Sequence, residues 1–186
     1  LVQAGRWEMP AVTPLSRLRG RTLGLAGLGQ IPRAVAPKAQ SFGLKVIAYD
    51  PFVDNEVAKA LDVELVDLDT LLESSNYVSV HVPMMPETEK MFGADAFKKM
   101  KADALLVNTA RGPLVDTDAL AEALDAGEIG GAALDVMPVE PPGADHPLLG
   151  RDNVILSPHV ASASARFDPR RRRRVGEEIA LVLSGR

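Results

Sequence analysis

From Arg21 onward, short apolar runs alternate with stretches of helical period, and this alternation limits the chain to a narrow set of folds. A strand followed by a helix followed by another strand builds βα units, because a parallel neighbour is reached only by a crossover. Strands are predicted at Thr22–Ala26, Lys45–Tyr49, Glu64–Val66, Tyr77–Val82, Ala104–Asn108, Gly131–Asp135 and Val154–Ser157. Between them helices are predicted near Ile31–Phe42, Asn55–Leu61, Leu68–Ser74, Ala94–Met100 and Thr117–Ala126. The pattern reads as an α/β fold with a doubly wound parallel sheet, and 186 residues suffice for one domain with a real core.

Several boundaries have chemical reasons. Phe42-Gly43 and Ala126-Gly127 end helices where a left-handed residue is wanted. Asp116 stands where a carboxylate caps the orphan amides of the following helix. Asp168-Pro169 reads as a cap followed by proline at the first helical position. Val175, Ile179, Val182 and Leu183 then share one face, so that last helix is expected to pack against something. Residues 1–20, broken by glycine and proline, read as an arm or linker. The chain opens on Leu1 and stops at Ser184-Gly185-Arg186, which reads as a piece of something longer.

Composition removes several classes of function. With 46% hydrophobic and 25% charged residues the chain is an ordinary globular one. Its net charge of −4 offers no general attraction for nucleic acid or an anionic membrane. Without cysteine there is no disulfide, thiolate metal site or cysteine nucleophile, and no other metal-ligand spacing occurs. No stretch approaches the roughly 18 apolar residues that span a bilayer, and a cytoplasmic protein is expected.

The segment Leu23 to Pro32 joins a predicted strand to a helix through Gly27 and Gly29, as a dinucleotide fingerprint requires. Gly27 permits the tight turn, and Gly29 lets backbone approach a pyrophosphate at the helix N-terminus. The next strand ends at Asp50, 21 residues after Gly29, where a carboxylate accepts from ribose hydroxyls and repels a 2′-phosphate. NAD is therefore favoured over NADP. The plainer alternative is a tight turn with Asp50 capping Pro51. Pro32 takes the third glycine position and Pro37 follows it, so a kink is expected in that helix.

Farther along, Asn108 to Gly112 reads Asn-Thr-Ala-Arg-Gly, Leu134 to Pro141 reads Leu-Asp-Val-Met-Pro-Val-Glu-Pro, and Ser157 to His159 reads Ser-Pro-His. Arg111, Glu140 and His159 each follow the carboxyl end of a predicted strand, where an open α/β sheet holds its ligands. An arginine grips a carboxylate bidentately, a histidine moves a proton near neutral pH, and a glutamate orients it. With a nicotinamide cofactor carrying hydride, the set could move a hydride and a proton, and a redox enzyme is the leading reading. The plainer alternatives are a surface pair of Arg111 with Asp116, an exposed loop carboxylate at Glu140, and a strand-end cap at His159. His81 reads as packing at a strand end, His146 as part of a solvated loop, and Arg170 to Arg174 as a solvated helix start.

From about Leu18 to Ser184 the chain resembles the NAD-binding domain of the D-isomer-specific 2-hydroxyacid dehydrogenases. That resemblance implies a Rossmann-type fold and assigns substrate binding to Arg111 and the acid–base pair to Glu140 and His159. It implies that Asp135 holds the nicotinamide carboxamide, that Gln30 and Ile31 contact pyrophosphate, and that Val82, Pro83, Thr88, Thr109 and Ala110 line the cofactor. The arm around Gly5-Arg6-Trp7 resembles a dimer-forming extension, which implies a homodimer. Ala48-Tyr49-Asp50-Pro51 and His81-Val82-Pro83 look like phosphoglycerate-dehydrogenase-type members, and parts resemble NAD-binding corepressors on the same fold. The substrate domain of the family is largely absent from this sequence, and the isolated chain is expected to be inactive. An NAD(H)-binding dimerisation module without turnover is the alternative.

The two prolines are expected to weaken or reshape cofactor binding without abolishing it. Pro32→Gly should shift the NADH dissociation constant in a fluorescence titration, and an unchanged constant would refute the idea.

Overall fold

The run Thr22–Ala26 forms strand β1, and its side chains divide between two apolar layers. Leu23 and Leu25 pack with Ala36 and Ala39 of helix α1 (Gln30–Ser41) and with Ala58 of α2 (Asn55–Lys59). Ala26 belongs to the opposite layer, with Leu71 of α3 (Leu68–Ser74), Phe97 of α4 (Ala94–Lys99) and Leu120 of α5 (Thr117–Ala126). Burial on both faces is why the strand shows no polar alternation. The computed structural model describes residues 2–5, 7, 16–165 and 167–185, so Arg6 of the expected dimer arm lies outside the described residues.

The remaining strands are β2 (Lys45–Tyr49), β3 (Glu64–Leu65), β4 (Tyr77–Val80), β5 (Leu105–Asn108), β6 (Gly131–Leu134) and β7 (Val154–Leu156). They form one seven-stranded sheet in the order β3-β2-β1-β4-β5-β6-β7, and every neighbouring pair is parallel. The expected doubly wound sheet is present. Strand order reverses between β1 and β4, the place where open α/β sheets form a ligand crevice. Register aligns the strand ends as well: Tyr49, Ala26, Val80, Asn108, Leu134 and Leu156 are paired across the sheet in a single row. The residues that follow, Asp50, Gly27, His81, Thr109, Asp135 and Ser157, therefore leave the sheet along one edge.

Local chemistry explains the element ends. Asp54, Asp67 and Asp116 cap α2, α3 and α5 through their side chains, and Gly127 closes α5 in the left-handed conformation. Strand β4 stops at Val80, earlier than expected. The His81 amide still reaches the Ala26 carbonyl at 2.8 Å, but Pro83 has no amide to continue the ladder. Helix α1 runs unbroken through Pro37, which has no amide for the Arg33 carbonyl.

Two expectations about the last helix need correction. Helix α6 (Phe167–Leu183) begins before Asp168, so Asp168 lies within its first turn instead of ahead of it. Its apolar residues Val175, Ile179, Val182 and Leu183 are 53% to 83% exposed, so no described residue of this chain covers the face expected to be packed. Among the described residues no helix is long and apolar enough to cross a membrane.

Candidate functional site

Because the ends of β1 and β2 are aligned, Gly27 and Asp50 emerge side by side. Gly27 has φ +103°, and a Cβ there would stand 3.0 Å from the His81 carbonyl group, so only glycine makes this turn without strain. Asp50 braces the turn. One carboxylate oxygen accepts from the Leu28 amide at 2.8 Å and the other from the Phe52 amide at 3.0 Å. Each oxygen keeps room for a second donor. Gly29 precedes α1 with no side-chain cap, and nothing lies within 4 Å of where its Cβ would be. The start of α1 thus has no side-chain cap on its orphan amides and no obstruction at Gly29, which fits a dinucleotide pyrophosphate. Pro32, buried in that turn, withholds one of them.

A cavity of about 430 Å³ and another of about 590 Å³ open along the edge. The larger gathers Gly27, Gly29, Asp50, Val82, Pro83 and Thr88 from the expected cofactor set. Thr88 shapes its wall. The threonine hydroxyl donates to the Pro83 carbonyl at 2.7 Å and accepts from the Met85 amide at 2.9 Å. His81 and Phe52 line the same cavity. Burial pushes the His81 imidazole down to about 4, and Ser79 Oγ lies 2.9 Å from its Nε2, so it is neutral at pH 7. Gln30 and Ile31 are not in this cavity. Gln30 borders a separate hollow beside Arg170 and Arg174, and Ile31 is exposed.

Strand β5 delivers the arginine. Buried Asn108 ties its own loop: its Oδ1 accepts from the Ala110 amide at 2.9 Å, and its Nδ2 donates to the Arg111 carbonyl at 2.8 Å. Thr109, Ala110 and Arg111 sit in this loop, outside both cavities. The Arg111 guanidinium donates to the neighbouring Ala110 carbonyl at 2.6 Å. Asp116 pairs with Lys90 at 3.0 Å, so the surface pair of Arg111 with Asp116 does not form. Among the described residues no carboxylate neutralises Arg111.

The smaller cavity brings together Asp135, Glu140 and His159. His159 Nδ1 lies 2.9 Å from one Glu140 oxygen, while the other accepts from the Met137 amide at 3.0 Å. The His159 hydrogen bond, then the Met137 amide, hold the Glu140 carboxyl below its ordinary value. An ionised carboxylate only accepts, so Nδ1 carries the proton of this bond and Nε2 is left to act on a ligand.

Asp135 holds the histidine loop. Its backbone carbonyl accepts from the His159 amide at 2.8 Å. The Asp135 carboxylate accepts from Ser157 Oγ at 2.5 Å, Val160 N at 2.9 Å and Ala161 N at 2.8 Å. Burial works to raise this carboxyl, but the Ser157 hydroxyl and the two amides outweigh it and hold it below the usual range. His159 itself has φ +53°, an uncommon conformation for a non-glycine residue, and these bonds sustain it. Ser157 and Asn108 are the functional supports that sequence reasoning left unassigned. Their only signal is a polar side chain at the end of an apolar strand. Among the described residues no group of acidic or histidine side chains could hold a metal ion.

Comparison with known proteins follows the same lines. Residues 1–161 match the family described as D-isomer specific 2-hydroxyacid dehydrogenase, NAD binding domain. The D-3-phosphoglycerate dehydrogenase of Archaeoglobus fulgidus is 42% identical over 184 residues, covering 99% of this chain and 35% of that protein. The glyoxylate reductase of Thermofilum pendens is 42% identical over 189 residues, 100% of this chain and 56% of that protein. The crystal structure of D-lactate dehydrogenase from Aquifex aeolicus complexed with NAD and lactic acid has a TM-score of 0.86 at 31% identity, over 99% of this chain and 60% of that one. The chain spans 29% to 56% of the length of the curated relatives it matches.

Asp135→Asn should lower stability at pH 7 by about 1–3 kcal/mol, because an amide cannot serve three donors as a carboxylate does. The Asp135 contribution is fully present above the ordinary carboxylate range and is lost as pH falls through the lowered folded value. Urea unfolding of the two proteins should therefore converge in acid, and a gap independent of pH would contradict this role.

Proposed function

The chain belongs to the D-isomer specific 2-hydroxyacid dehydrogenase family through its NAD-binding domain, and from that premise we propose that it serves the reversible reduction of a 2-keto acid to a D-2-hydroxy acid. The observation that carries the proposal is the Glu140–His159 pair, standing on the same sheet edge as an arginine that has no carboxylate partner among the described residues. NAD(H), when bound, supplies or accepts the hydride at the substrate's C2.

In this reading Gly27, Gly29 and the first turn of α1 receive the pyrophosphate, with Gln30 and Ile31 at its border. Asp50 accepts from the ribose hydroxyls, and its charge disfavours a 2′-phosphate. Val82, Pro83, Thr88, Thr109 and Ala110 line the cofactor, and Asp135 has acceptor capacity beyond its three donors for the carboxamide. Arg111 fixes the substrate carboxylate. Protonated His159 gives its Nε2 proton to the carbonyl oxygen and keeps its Nδ1 proton, hydrogen-bonded to the Glu140 carboxylate; oxidation reverses the transfer. Glu140 stabilises the charged imidazole before the proton leaves.

The substrate side of the crevice is open in this chain, and a second domain would exclude water there. We further propose a cytoplasmic homodimer, with the N-terminal arm in the dimer contact, and neither nucleic acid nor membrane as partner. The test is a panel of 2-keto acids with NADH on the full-length protein. Turnover is expected, with His159→Gln lowering kcat by about 10²–10⁴-fold while NADH affinity is retained. Absence of turnover together with NADH-dependent dimerisation would instead support a binding module.

A further inference from the structure

Gly112 follows Arg111 and is buried, and its α-carbon rests on a neighbouring peptide. A Cβ at this position would stand 2.0 Å from the Met137 carbonyl carbon, 2.1 Å from its oxygen and 2.4 Å from Pro138 N. These are backbone atoms, so no rotamer change relieves the overlap. The peptide in question, Met137–Pro138, lies in the loop that leads to Glu140. Its residue Met137 donates its amide to one Glu140 oxygen at 3.0 Å, and the other oxygen meets His159 at 2.9 Å. On the other side Asn108 holds the Arg111 carbonyl at 2.8 Å, so the arginine loop is itself stiff.

We propose that Gly112 is a positioning residue: its bare α-carbon seats the Arg111 loop on the Met137–Pro138 peptide and thereby fixes the Glu140–His159 pair relative to Arg111. The inference rests on reading Arg111, Glu140 and His159 as one site. Strand register brings the ends of β5 and β6 together, but it sets neither the height nor the tilt of the loops beyond them. The glycine contact does. A methyl group would push the two loops apart, tilt the Met137 amide away from Glu140 and widen the gap that one small carboxylic acid has to bridge. Loss of geometry on this scale costs rate out of proportion to the atoms moved. The Met137 amide is also one of the groups that depress the Glu140 carboxyl, so that titration reports on the contact without any turnover.

The experiment is carbon-detected nuclear magnetic resonance of the 186-residue chain, following Glu140 against pH in wild type, Gly112→Ala and Gly131→Ala. Gly131→Ala is the control, since its Cβ would press 2.7 Å against the Asn153 carbonyl oxygen at the far end of β6. Both variants should melt at lower temperature, but only Gly112→Ala should move the Glu140 midpoint upward. A folded Gly112→Ala chain with an unmoved midpoint overturns the proposal. The reciprocal variant Glu140→Gln changes only an exposed side chain and decides the matter even where Gly112→Ala does not fold. It should shift the Arg111 and Gly112 amide resonances and leave Gly131 in place, because coupling between two groups runs both ways; unmoved Arg111 and Gly112 amides overturn the proposal. Failure of the full-length protein to reduce keto acids would overturn the functional reading and leave these resonance shifts as they are.

Discussion

One buried carboxylate organises the loops around His159. Asp135 leaves the end of β6 almost without solvent contact, and a charge in that position is costly unless it is well paired. Its side chain takes the Ser157 hydroxyl and the Val160 and Ala161 amides, and its backbone carbonyl takes the His159 amide. Bonds to a charged acceptor are worth about 1.5–3 kcal/mol each, enough together to offset both the burial and the left-handed backbone of His159. Everything proposed for the imidazole depends on this loop staying closed.

The cofactor end is held by the same kind of device at lower burial. Asp50 joins the glycine turn after β1 to the loop after β2 through two backbone amides, which keeps Gly27 against the His81 carbonyl. Between these two carboxylates runs the row of paired strand ends from Tyr49 to Leu156. The central strands of the sheet, buried on both faces, have little freedom to slip, because a shift of one residue would turn their apolar side chains out of the two layers. Rigid strands thus carry these polar groups on braced loops, and the spacing of the strand ends beneath the glycine turn and the histidine loop is a property of the sheet.

Much of this was legible in the residues. The alternation of apolar runs and helical segments gave the strands and their parallel sense, and Asp116 and Gly127 marked both ends of α5 by their chemistry. The proximity of Glu140 to His159 was also readable, since both follow strand ends. What escaped were contacts made by backbone. The bond from the Met137 amide to Glu140, the seat of Gly112 on the 137–138 peptide and the three donors on Asp135 depend on loop shape, and no side-chain pattern encodes loop shape. The apolar face of α6 misled for another reason: periodicity shows that a face wants cover without showing that this chain supplies it. Gln30 was placed by position in a motif, and in the structure it borders a hollow beside Arg170 and Arg174.

In the proposed function the glycine turn and the histidine loop, which stand on one sheet edge, border one crevice that holds a single dinucleotide. Amide chemical-shift mapping of the 186-residue chain during titration with NAD⁺ tests it most directly. Amides around Gly27, Gly29 and Asp50 and those from Asp135 to Ala161 should move together along one saturation curve. Shifts confined to one of these two groups, or to the opposite ends of the strands, would contradict it.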